Sequence, residues 1–276
     1  MRFALLLVCA TLSAQTPAAT GRGANFYSIE KEKALGAQIA AEYRRQQRVL
    51  DAPSVNAHLN ELGQRLAAQA PATGFNYTFE LVDDDNTWIH EAAAFPGGPV
   101  FVPASLVLAA ADEEELAGML AHAIAHIATR RETRQITQGQ FAHQSTVPLI
   151  VMGGWSGYAI RQGNALPTGF FAFQRKNELE SDQLAVSILS SAGYDPHALA
   201  RYIERVQPAD PPLRNATAPY PDKDQRLAAL QSAIRQLPPA TYPTHPTLDA
   251  IHQDVTQLTV RPTQDRPAKT PPRLSR

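Results

Sequence analysis

The 276-residue sequence predicts an α+β fold, mostly helical, with a small sheet beside one buried helix. Three observations lead there. Within Asp112 to Arg134, the run Leu116 to Ile127 is apolar on nearly every side, the pattern of a helix surrounded by protein. Two earlier stretches, Phe75 to Val82 and Ala92 to Val102, carry strand signals. Helical periodicity occupies most of the surrounding chain, which is an α+β arrangement.

Taken in order, the chain starts with what reads as an export signal. Met1-Arg2 is a short positive start, Phe3 to Leu12 is apolar, and Ser13-Ala14 offers small residues for cleavage. Residues 1–14 are therefore read as a signal peptide and residues 15–24 as a small, polar linker, which places the mature chain outside the cytoplasm, in the periplasm or its equivalent. The apolar stretch is too short to span a bilayer. Leu6-Leu7-Val8-Cys9 approaches a lipid-attachment motif, but Val8 is bulky for the position before the cysteine, which argues against a lipoprotein anchor. Cys9 is the single cysteine, so a cleaved chain has no disulfide.

Residues 25–237 form the expected domain. Ile29 to Val49 reads as a charged amphipathic helix with Leu35, Ile39 and Tyr43 at four-residue spacing. Pro53 to Ala70 reads as a second, with Val55, Leu59, Leu62 and Leu66 inward. In the first strand, Phe75, Tyr77, Phe79 and Leu81 share a face. Ala92 to Phe95 and Pro99 to Val102 are short extended segments joined by a turn at Pro96-Gly97-Gly98. Asp112 caps the central helix and Glu115 completes a capping box. Arg130, Arg131 and Arg134 mark its end, where cations complement the helix dipole. Val147 to Ile160, apolar but rich in glycine, reads as a buried or mobile flap. A further helix runs from Phe173 to Ala192 and stops at Gly193; Asp195-Pro196 opens the next. Residues 238–276 hold eight of the 22 prolines with little periodicity and are read as a disordered tail.

With 44% hydrophobic residues, the chain is able to bury a real core. Its net charge of −1 and scattered basic residues exclude nucleic acid as the main partner, because duplex binding needs a clustered positive field.

The candidate chemistry sits on the central helix. His122 and His126 are four apart, so both imidazoles leave one face, a spacing that suits one tetrahedral zinc. The pair alone is a short motif that arises by chance, and two satisfied core histidines would look the same. Glu178 and Asp182 also lie four apart, so one carboxylate could complete a metal site while the other holds a ligand histidine by its far nitrogen. The same acidic residues would suit a solvated helix start.

Several blocks carry a resemblance: FPGGPVFVPASL from Phe95, EEELAGMLAHAIAHI from Glu113, NELESDQLAV with AGYDP from Asn177, and YPDKDQRL from Tyr220. Together, from about Asn25 to Leu230, they resemble the zinc metallopeptidase family that includes HtpX, BepA, LoiP and the CAAX prenyl endopeptidase. The resemblance implies a gluzincin-type fold with one zinc ion held by His122, His126 and Glu178, and Asp182 behind them. It implies a substrate groove edged near Pro96-Gly97-Gly98, and unfolded or extended polypeptide as partner. It also implies a place in protein quality control among outer-membrane assembly components. The apolar stretches are too short to span a bilayer, so no transmembrane helix is expected in the mature chain.

The chain departs from that family at three positions. The family helix reads HExxH and this one HAIAH, so Ala123 stands where the general-base glutamate is expected. Tyr220 stands where the family has a histidine before proline; a phenol there would donate to an oxyanion or be a plain loop residue. Glu91 replaces an edge-segment asparagine and would be a relocated base if it met the reacting water. The leading expectation is a peptidase relative with an intact zinc site and absent or strongly impaired catalysis. An active protease, with a relocated base or with an alanine introduced to disable it, is the alternative. A metal-free helical structural protein is the third reading.

Overall fold

In the computed structural model, which describes residues 25–83, 91–142, 168–207 and 221–259, the sheet has two apolar faces and each finds its own cover. The expected signal peptide, the linker, the 147–160 flap, Tyr220 and the chain beyond 259 lie outside the described residues. Strands β1 (Arg48–Val49), β2 (Thr78–Asp83), β3 (Ala93–Ala94) and β4 (Pro99–Pro103) stand in the order β1-β2-β4-β3. β2 and β4 run parallel, with Phe79 opposite Val100 and Leu81 opposite Val102; β1 and β3 pair antiparallel on the outer sides. Side chains alternate across a strand. Val100 and Val102 therefore enter the main core with Phe79 and Leu81, whereas Phe101 turns the other way with Val82, Ala93 and Phe95.

Helix α1 (Ile29–Gln46) covers that second face. Tyr43 packs there against Phe95 and Phe101, ring centroids 5.2 and 4.7 Å away. Spacing singled out Leu35, Ile39 and Tyr43, but the most buried line lies one step round, at Glu32, Gly36 and Ala40. Small residues let the helix come close: a Cβ on Gly36 would stand 1.6 Å from the Pro96 carbonyl oxygen.

The first face packs on α2 (Pro53–Ala67), with Val55, Leu59, Leu62 and Leu66 inward as the spacing predicts, and on α3 (Ala104–Ala109). Beneath them lies α4 (Glu113–Ala128), buried on nearly every side. Its cap is the expected one, with the Glu115 N–H donating to Asp112 Oδ1 at 2.7 Å. Glu115 reaches back to the N–H of Ala111 at 2.9 Å, so the capping box is shifted by one residue.

The central helix does not run through to Arg134. Arg130 adopts φ 53°, a left-handed conformation, and separates α4 from α5 (Arg131–Ala142). No glycine or proline marks the break. The three arginines are not solvated helix-end cations either: Arg130 pairs with Glu32, Arg131 with Glu178, and Arg134 with Glu180. Helices α6 (Thr168–Ala192) and α7 (His197–Val206) then pack on α4, and α8 (Lys223–Ile234) packs on those two.

A second correction concerns the tail. The prolines of 238–246 are followed by α9 (Asp249–Thr259), which lies against α2 and α3. Leu248 and Val255 join the core, His252 Nε2 lies 2.9 Å from the Val107 carbonyl, and Ser54 donates to Asp254 at 2.7 Å. Leu248, Ile251, Val255 and Leu258 do follow a helical spacing, hidden by the proline-rich composition around it. Among the described residues no helix is long and apolar enough to cross a membrane.

Candidate metal centre

Two buried helices bring the titratable groups together. α4 supplies His122 and His126 from one face, and α6 lies across it with Glu178, Ser181 and Asp182 turned inward. The Nε2 atoms of the two histidines are 2.7 Å apart, and Glu178 Oε2 stands 3.5 Å from the first and 3.4 Å from the second. Ligand atoms on a tetrahedral zinc with bonds of about 2.0–2.1 Å are separated by roughly 3.3 Å, so a small opening of the histidine pair suffices to fit the ion. Glu178 Oε2 is buried and makes no hydrogen bond of good geometry among the described residues. An orphaned carboxylate oxygen facing two imidazole nitrogens suits a divalent cation. These residues are the one group among the described residues whose ligand atoms all fall within 4.8 Å of one another.

Each first contact has a second behind it. Asp182 Oδ1 lies 2.8 Å from His122 Nδ1, an ion-pair contact that favours a proton on that nitrogen, although its angle is not that of a well-formed hydrogen bond. Arg226, on α8, holds Asp182 through both oxygens at 2.9 and 2.8 Å. Ser181 Oγ lies 2.9 Å from His126 Nδ1. The oxygen of Glu178 that does not face the histidines, Oε1, is 2.5 Å from Arg131 Nη2.

The protonation states follow from these neighbours. Burial works against a charged His122, but Asp182 and then Glu178 outweigh it and lift its pKa to about 9. Burial and the Arg131 cation push His126 down to about 3. Burial also opposes charge on the two carboxylates. Arg131 and the histidines nevertheless hold Glu178 well below the usual carboxylate range, and Arg226 and His122 bring Asp182 to about 2.

The other expected residues are placed as follows. Ala123 lies between the histidines with its methyl in the core. Glu91 does not stand open to water as a base, because its Oε1 accepts from Arg226 at 2.9 Å and from Gln207 at 3.0 Å. Pro96 lines a small cavity with Ala94, His126 and Arg131. Gly97 and Gly98 are both buried at positive φ, where a Cβ would meet Lys33 at 2.7 Å and the Asn76 carbonyl at 2.0 Å. Their role is to lock the β3–β4 turn against α1 and Asn76. Ser181 and Arg131 were missed as site residues, since nothing in their local pattern separates them from an exposed serine and a helix-end arginine.

Peptidase family M48 matches residues 53–249. The chain belongs to that family. It is similar to the putative beta-barrel assembly-enhancing protease of Vibrio cholerae, 30% identical over 79% of this chain and 47% of that one. The beta-barrel assembly-enhancing protease of Yersinia pestis is 28% identical over 83% and 48%. The mitochondrial metalloendopeptidase OMA1 of Schizosaccharomyces pombe is 24% identical over 71% and 57%. The chain therefore spans about half the length of the beta-barrel assembly-enhancing relatives it matches. M48 peptidases are zinc-dependent, which agrees with the His122, His126 and Glu178 group.

Within that family frame, Ser181 is a positioning residue for His126. Ser181→Ala is expected to weaken zinc binding about 10–100-fold, the usual cost of losing an outer partner of a ligand histidine. Competition against a chromophoric chelator measures it, and an unchanged affinity would remove Ser181 from the site.

Proposed function

We propose that this chain is an exported member of the M48 peptidases that keeps its zinc site, lacks the general base, and binds unfolded or extended polypeptide while cleaving it poorly or not at all. The observation that carries this reading is Ala123, a buried alanine next to His122 on the helix that carries both histidines, while Asp182 faces His122, Glu178 Oε1 faces Arg131 and Glu91 Oε1 faces Arg226. A zinc ion held by His122, His126 and Glu178 supplies Lewis acidity toward water and a peptide carbonyl. The chain's own part is to orient. Asp182 favours a proton on His122 Nδ1, Ser181 meets His126 Nδ1, and the apolar packing of α4 keeps bulk water away. Ala123 has no group to take a proton from water or return it to the leaving amine, the two tasks of the absent glutamate.

Polypeptide is the fitting occupant because β3 is one of the two outer strands of the sheet among the described residues and Ala94 shares the cavity with His126. An extended segment added to that edge would be held by main-chain hydrogen bonds, which tolerate many sequences. We place the protein in the periplasm or its equivalent, as the N-terminal signal implies, with outer-membrane assembly components as its surroundings; the names of its relatives support that setting.

The test is incubation of the zinc-loaded mature chain with unfolded casein. Retention of casein without fragments is expected. Robust hydrolysis abolished by a chelator would sink the reading.

A further inference from the structure

We propose that Arg131 is a built-in counter-cation that offsets the charge of Glu178 and crowds His126, so that this chain takes up zinc weakly. The proposal rests on the metal-site reading above and adds what sets the affinity of that site.

Geometry carries it. The Arg131 side chain is 3% exposed, and its Nη2 lies 2.5 Å from Glu178 Oε1. Its Nη1 lies against the edge of the His126 ring, nearer Nδ1 than Nε2, which stands 3.1 Å away. The guanidinium thus touches two of the three candidate ligands at once. Glu178 Oε2 stays directed at the histidines, so metal uptake does not require the Arg131–Glu178 pair to break; it requires the guanidinium to leave His126.

The position is built into the backbone. The left-handed turn at Arg130 ends α4 four residues after His126 and sends residue 131 back toward the site. Arg130 is itself pinned: its Nε donates to Glu32 at 2.8 Å, and Glu32 also accepts from Asn25 at 3.0 Å. Arg131 is therefore held beside the ligands and is not a loose surface cation.

Charge explains the consequence. Arg226 faces both Asp182 and Glu91, and Arg131 faces Glu178 at 2.5 Å and Glu132 at 3.8 Å. Of these carboxylates Glu178 is the one turned toward both histidine Nε2 atoms, and Arg131 offsets its charge. Ala123 adds no carboxylate to restore the balance. Removing Arg131 leaves a buried carboxylate without its cation, which disfavours the metal-free form and favours a metal in its place.

The experiment compares the full chain with Arg131→Gln and Arg131→Met, by chelator competition for zinc and by thermal unfolding with chelator or with zinc. Both variants are expected to bind zinc roughly tenfold or more tightly, a change of about 1.4 kcal/mol per decade. They are also expected to melt below the parent in chelator and to gain more from added zinc, as linkage requires. Equal or weaker zinc affinity in both variants, with the parent binding normally, overturns this proposal alone and makes Arg131 a plain positioning residue for Glu178. If neither parent nor variants bind zinc, the metal-site reading fails and this proposal falls with it.

Discussion

Ala123→Glu is expected to raise zinc-dependent hydrolysis of unfolded casein about 10²–10⁴-fold over the chain as it stands, the usual worth of a positioned general acid–base. The scaffold for that gain is already present. His122 and His126 point to one place, Glu178 Oε2 completes the set, and Asp182 and Ser181 sit behind the imidazoles. What is missing is one carboxylate on the helix that carries both histidines. The substitution has a cost, because position 123 is buried and a glutamate there needs water or metal nearby to satisfy it. The variant should therefore depend more on zinc for stability than its parent does. Equal cutting by both chains would mean another group serves as base. Cutting by neither would move the defect beyond Ala123, with Tyr220 the next residue to change.

Arg226→Met should be among the most damaging single changes to stability. Arg226 is fully buried, pairs with both oxygens of Asp182, and holds Glu91 through Nη1. Its removal leaves two carboxylates without their cation, and breaking a buried pair from one side costs about 3–5 kcal/mol. Denaturant unfolding measures this directly. Zinc affinity should fall in the same variant, since Asp182 would no longer be held against His122 Nδ1. A loss below about 1 kcal/mol would show that the pair is not buried as described.

How much of this was legible in the sequence depended on whether the signal was local. The i, i+4 spacing of His122 with His126 and of Glu178 with Asp182 fixes the face each side chain leaves, and the structure brings those faces together. The inward line of α2 follows from periodicity in the same way. The break at Arg130 was not legible, because it contains no glycine or proline; long-range bonds to Glu32 and to the Tyr27 carbonyl accompany the turn. Arg131 looked like a helix-end cation for the same reason: its partner Glu178 is 47 residues away in sequence. Composition misled at the C-terminus, where flanking prolines masked the spacing of Leu248, Ile251, Val255 and Leu258. The sequence shows a turn at Gly97 and Gly98, but their scaffold role was not legible, because it lies in positive φ values and close neighbours from distant parts of the chain.

The central claim is that the metal site survives without its base, and metal content tests it most directly. The chain, titrated with zinc across the range of the site's affinity, should bind one zinc per chain, while His122→Ala and Glu178→Gln bind none. Absence of zinc in the parent, or its retention in both variants, would contradict the account.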